Sequence, residues 1–162
     1  SVSKALERVA PHATVQVTSD PEIVDKASHI VVPGQGAMPH CMQELDKFDL
    51  TEVVIDAARN KPFLGICIGL QMLFEESEEG NVKGRGVLPG KVVHFSTSNE
   101  TDIQGGKLKI PHMGWNQVYQ TMDHPLWDGI RSDARFYFVH IYYVKSENPN
   151  LSAARNWISR SY

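Results

Sequence analysis

Two cysteines, Cys41 and Cys67, are too few for a disulfide framework, and their neighbours match no zinc or iron ligand spacing. No metal centre is expected. No cofactor is implied either, because the P-loop and dinucleotide fingerprints are missing: Gly34-Gln35-Gly36 lacks its third glycine. Basic charge is scarce, with 16 Lys and Arg against 19 Asp and Glu and a pI near 6.1. That balance argues against nucleic acid or an anionic membrane as partner. No apolar run reaches the roughly 20 residues that span a bilayer, and no signal-peptide pattern opens the chain. The expected location is the reducing cytoplasm. The chain also lacks repeats, low-complexity segments and an initiating methionine. It starts at Ser1 inside a helical pattern and stops at Tyr162 after an apparent strand, so the expectation is a fragment trimmed at both ends.

What is present is a 41% hydrophobic chain of 162 residues, expected to form one domain over 1–162 with its own core. Ser1 or Ser3 can cap a helix to about Val9, and residues 14–18 alternate as a strand. Asp20-Pro21 starts a helix ending near Ala27, with a capping carboxylate and then proline in the first turn. Residues 29–32 read as a buried strand entering the turn Pro33-Gly34-Gln35-Gly36. Residues 37–46 read as a helix, and Asp49 with Glu52 has capping-box spacing for the next one. Residues 63–66 then form an apolar strand followed by a helix to about Glu76. The alternation predicts an α/β fold with a doubly wound, mostly parallel sheet flanked by helices. After Gly80 the pattern turns β-rich: a strand over 91–95, a polar loop over 96–106, pairing over 107–110, a long β-prone run over 135–144, and a last strand over 153–159. His124-Pro125-Leu126-Trp127 reads as a short helix start.

The chemistry concentrates at Gly65-Ile66-Cys67-Ile68-Gly69. A cysteine between glycines, where a strand turns directly into a helix, is the thiol form of the nucleophile elbow. The turn places the sulfur at a helix N-terminus, where the dipole favours thiolate. A lone cysteine is more often a buried thiol, but the two glycines favour the nucleophile. Attack on a carbonyl needs donors for the oxyanion. The N–H of Ile68 is one, and the Pro33–Gly36 turn is the natural source of the second. The base is not legible: His12, His29, His40, His94, His112, His124 and His140 include no obvious pairing with a carboxylate near the chain's end.

The elbow through Leu70-Gln71, preceded by Pro33-Gly34-Gln35-Gly36, resembles the class I (triad) glutamine amidotransferases. Phe74-Glu75-Glu76-Ser77-Glu78-Glu79-Gly80, Pro111-His112-Met113-Gly114-Trp115-Asn116 and Tyr137-Phe138-Val139-His140 narrow the resemblance to the glutaminase subunits of imidazole glycerol phosphate synthase. It covers essentially the whole chain. The resemblance implies hydrolysis of L-glutamine through a cysteinyl thioester in histidine biosynthesis. Ammonia passes through a channel to a (β/α)8-barrel cyclase subunit, which makes imidazole glycerol phosphate and an aminoimidazole ribotide. It implies Cys67 as nucleophile and Gly36 with Ile68 in the oxyanion hole. Gly34, Gln71, Glu79 and the strand His140-Ile141-Tyr142 are implied to hold substrate, and residues Pro111, His112, Met113, Gly114, Trp115 and Asn116 to face the cyclase.

Two departures stand out. Ile141 replaces the serine usual after the strand histidine, and no His-Pro-Glu occurs, since His124-Pro125 continues with Leu126. These 162 residues alone are therefore expected to be inactive. The competing readings are a glutaminase of another class I synthase, which the Pro111–Asn116 segment disfavours, a non-catalytic interaction subunit of the same fold, and an unrelated elbow-cysteine hydrolase.

Overall fold

Parallel pairing brings β1 (Ile30–Gly34) beside β2 (Phe63–Cys67), in a register that sets Ile30 against Phe63 and Gly34 against Cys67. The computed structural model describes residues 1–95 and 110–156. Helices α1 (Val2–Val9), α2 (Pro21–Lys26), α3 (Met38–Lys47) and α4 (Thr51–Asn60) accompany this pair. At α2 the expected start is realised, as Asp20 accepts a 2.9 Å bond from the Glu22 N–H ahead of Pro21. The start of α4 differs. Asp49 takes φ 55° and caps nothing, while Leu50 holds the cap position and the Thr51 hydroxyl donates back to Asp46.

Between α3, α4 and the elbow lies the core: Met38, Met42, Val54, Ile68, Met72 and Leu73, with Val32, Cys41, Leu45 and Leu50 packed around it. Each such side chain contributes about 1.5–3 kcal/mol on burial. Unbranched methionines suit the irregular space where a helix crosses a strand-turn-helix. Arg85, largely buried, closes the far edge of α3 through Asp46 at 2.7 Å and the Met42 carbonyl at 3.2 Å.

Residues 14–18 run without strand pairing, and Val17 is exposed. Alternation alone does not make a strand; a ladder partner is needed, and none lies beside them among the described residues. The second difference follows the elbow. Helix α5 covers only Ile68–Gln71, and Phe74–Ser77 is strand β3 rather than the helix's continuation to Glu76. β3 pairs parallel with β5 (Leu88–His94) and antiparallel with β4 (Val82–Lys83), whose backbone partners outweigh the helical spacing of Leu70, Leu73 and Phe74.

The β-rich half forms two further sheets. One has the order β4-β3-β5-β8, with β8 at Tyr142–Ser146. The other is antiparallel, in the order β7-β6-β9, from β6 (His112–Gln120), β7 (Ala134–His140) and β9 (Ala154–Asn156). The β-prone run over 135–144 is thus not one strand. It breaks at Ile141 and changes sheet, because β7 pairs with β6 and β8 with β5. Pro125–Trp127 is a 3-10 turn capped by His124 Nδ1. The class is α/β, with parallel pairing in β1·β2 and β3·β5 and antiparallel pairing in the other four ladders among the described residues. The expected loop over 96–106, the pairing over 107–109 and the strand end over 157–159 lie outside the described residues. Among those described, no helix is long and apolar enough to cross a membrane.

Candidate active site

Cys67 ends β2 and caps α5 with φ 56° and ψ −117°, a backbone conformation that only glycine adopts freely. Holding a side chain there costs about 1–3 kcal/mol, so the surroundings must enforce it. They do so through close backbone approach. A Cβ on Gly69 would overlap the Val32 carbonyl oxygen of β1, and one on Gly65 would lie 2.5 Å from the Gly69 oxygen. One on Gly34 would lie 2.5 Å from Ile68 Cβ. Strand β1, strand β2 and the first turn of α5 are therefore drawn together at three glycines, and the Cys67 thiol is left free and exposed at their junction.

The Ile68 N–H opens α5, where helix geometry leaves it without an intrahelical acceptor. The register of Gly34 with Cys67 brings the turn Pro33–Gly36 alongside the sulfur's residue. Gly36 takes φ 96° in open space. Gln71 is the last residue of α5, half-buried. Glu79 begins the 3-10 turn Glu79–Asn81, anchored by its N–H to Ser77 Oγ at 3.1 Å. The next residue, Gly80, has φ 73° and leaves no room for a Cβ against the Pro39 ring of α3. Turn, helix α3 and elbow thus converge. Cys41 on α3, missed by sequence reasoning, faces the Gln35 carbonyl at 3.3 Å. Burial pushes its thiol pKa up, with the Gln35 backbone contact acting the other way. The usable signal was its place one turn into a helix that follows a glycine-rich loop.

The three residues 140–142 do not share one strand as expected. His140 ends β7, Ile141 is the break and Tyr142 begins β8. The Ile141 carbonyl accepts from the Phe95 N–H at 3.1 Å, so its backbone is committed to the fold while its side chain is exposed. Their contacts run to β5 and β6, with His94 edge-on to Tyr142 at 5.0 Å. A link reaches back toward Glu79, since Glu78 Oε2 accepts from the His94 N–H at 2.7 Å.

In β6, Met113 and Trp115 are 60% and 58% exposed, while Asn116 is buried and His112 and Gly114 are half-buried. The strand therefore offers an apolar face rather than six equivalent contact residues, and β7 extends it through Tyr137 and Val139. His112 and His140 bond to each other, His29 to Ser28, and His124 to the Leu126 N–H. A cleft of about 420 Å³ lined by Glu75, Glu76, Lys83, Gly90, Lys91 and Glu147 contains no candidate residue.

Residues 1–158 match the family model described as glutamine amidotransferase class-I. Among curated relatives, the imidazole glycerol phosphate synthase subunit HisH of Nitrosomonas europaea is 63% identical over 153 residues, spanning 94% of this chain and 72% of that protein. The same subunit of Nitrosospira multiformis is 63% identical over 145 residues, with 90% and 68% covered. That of Aromatoleum aromaticum is 58% identical over 156 residues, with 96% and 74% covered.

Proposed function

The chain belongs to the class-I glutamine amidotransferases, and from that premise we propose that it is the glutaminase subunit of an imidazole glycerol phosphate synthase, acting in histidine biosynthesis. Its relatives at 58–63% identity carry that subunit's name. The observation that carries the mechanism is the strained, exposed Cys67 at the head of a glycine-packed elbow.

Cys67 Sγ attacks the γ-amide carbon of L-glutamine. The carbonyl electrons move to oxygen, and the N–H groups of Ile68 and Gly36 receive the oxyanion. The amide nitrogen takes up the proton given up by the Cys67 thiol and leaves as ammonia as the adduct collapses to a γ-glutamyl thioester. Water then adds and releases glutamate. Gly34, Gln71, Glu79 and the 140–142 break hold the substrate. A proton acceptor must serve both halves of this cycle. Among the described residues, His29, His112, His124 and His140 are bonded to groups other than Cys67, and the His94 backbone N–H bonds the Glu78 carboxylate.

The partner is the cyclase subunit, a (β/α)8 barrel that consumes the ammonia. The exposed Met113, Trp115, Tyr137 and Val139 support this, because contiguous apolar side chains on a strand face mark interaction sites. The test compares glutamine-dependent with ammonia-dependent synthesis of imidazole glycerol phosphate by the full-length protein assembled with its cyclase. Cys67→Ala should abolish the first and leave the second intact. Glutamine-dependent synthesis that survives in Cys67→Ala would overturn the proposal.

A further inference from the structure

We propose that Cys41 is a positioning residue for glutamine hydrolysis, fixing through its thiol the orientation of the Gln35–Gly36 peptide; the inference rests on the glutaminase reading above. Cys41 Sγ lies 3.3 Å from the Gln35 carbonyl oxygen, and its own N–H bonds the Ala37 carbonyl at 3.1 Å. One residue thus ties both the loop and the first turn of α3. The Gln35–Gly36 bond is trans, so its C=O and N–H point in opposite directions. A carbonyl drawn toward α3 leaves the Gly36 N–H directed away from α3 and holds it in that one orientation.

The loop needs such a tie. Gly36 sits at φ 96° with nothing within 4 Å of where a Cβ would be, so packing does not restrain the peptide on that side. Burial raises the Cys41 thiol pKa, which favours the protonated form, and only a thiol, not a thiolate, can donate to a carbonyl. Helix α3 also meets the Glu79–Asn81 turn, where Gly80 packs against Pro39, so Cys41 sits on the element that touches both the loop and that turn. Pre-oriented donors act without reorganising during the reaction, so losing the tie should slow turnover more than it weakens substrate binding.

The experiment uses the full-length protein assembled with its cyclase. Cys41→Ala and Cys41→Val, which lack the donor, should lower kcat for glutamine hydrolysis about tenfold with KM within about twofold. Cys41→Ser, which keeps a donor, should recover most of the loss. Comparable thermal melting and co-elution with the cyclase identify the variants that are folded, and Val serves if Ala does not fold. Unchanged kcat in a folded donorless variant, or equal losses in Ser and Ala, would overturn the assignment. A wild-type complex that cannot hydrolyse glutamine would instead sink the glutaminase reading itself.

Discussion

His112 and His140 face each other across β6 and β7, with Nδ1 of the first 3.0 Å from Nε2 of the second. Phe138 packs against both rings and Phe95 stands edge-on to His140. One nitrogen must donate and the other accept, so the pair holds with at least one ring neutral. Burial lowers the His112 pKa, and burial plus the neighbouring His112 pushes His140 down to about 4. The pair joins the strand expected to face the cyclase to the end of the strand expected to hold substrate.

Acid should therefore loosen this junction. A histidine whose folded pKa lies below its unfolded value of about 6.5 binds its proton more readily in the unfolded chain. Its neutral form imposes no penalty above pH 6.5, and stability falls as pH drops from 6.5 toward 4. Thermal unfolding at pH 5 should show a midpoint a few degrees below that at pH 7.5, about 3 °C or more. His140→Phe should flatten this difference. An equal acid response in wild type and His140→Phe would remove the pair as its cause.

The glycines of the elbow should differ sharply in their tolerance of alanine. Gly69→Ala drives a methyl group into the Val32 carbonyl, and neither backbone can yield without disrupting β1 or α5. Its cost is about 3 kcal/mol or more. Gly36→Ala meets open space and should lose only the 1–2 kcal/mol, roughly, of a positive φ. Denaturant titration of both variants checks the order, and equal losses would contradict the packing described.

Cys67 should be replaceable by glycine with a gain in stability. The φ of 56° and ψ of −117° are strained for cysteine and open to glycine. After the added backbone entropy of glycine, the net gain is about 1 kcal/mol, or about 3 °C in Tm. The same variant should have no glutaminase activity in the full-length complex. A Cys67→Gly protein that melts below wild type would mean that the elbow is not under strain.

How far the sequence carried these conclusions depends on where the information sits. The elbow is local: Gly65, Cys67 and Gly69 announce a sharp turn wherever they occur, and Asp20-Pro21 announces a helix. Phe74 shows the opposite case, since one buried aromatic satisfies both a helical and a strand pattern, and pairing with β5 decides between them. Ile141 carries no glycine or proline signal for the break between β7 and β8; the break exists because β5 and β6 lie in different sheets. Cys41 was hidden for a related reason, as its acceptor is a backbone oxygen six positions away.

The apolar face of β6 and β7 should carry the affinity for the cyclase. Trp115 packs edge-on to Tyr137 at 5.6 Å between ring centroids, and Met113 stands opposite Val139. All four are more than half exposed, so shortening them disturbs little inside the subunit. Large, ordered aromatics flanked by aliphatics are the usual centre of a binding hot spot, where truncation costs about 2 kcal/mol or more. Trp115→Ala and Val139→Asp should each raise Kd for the cyclase at least tenfold, about 1.4 kcal/mol. Their own melting temperatures should stay within about 2 °C of wild type. Binding titrations beside melting curves separate the two effects, and undiminished affinity in both variants would move the interface to another face of the subunit.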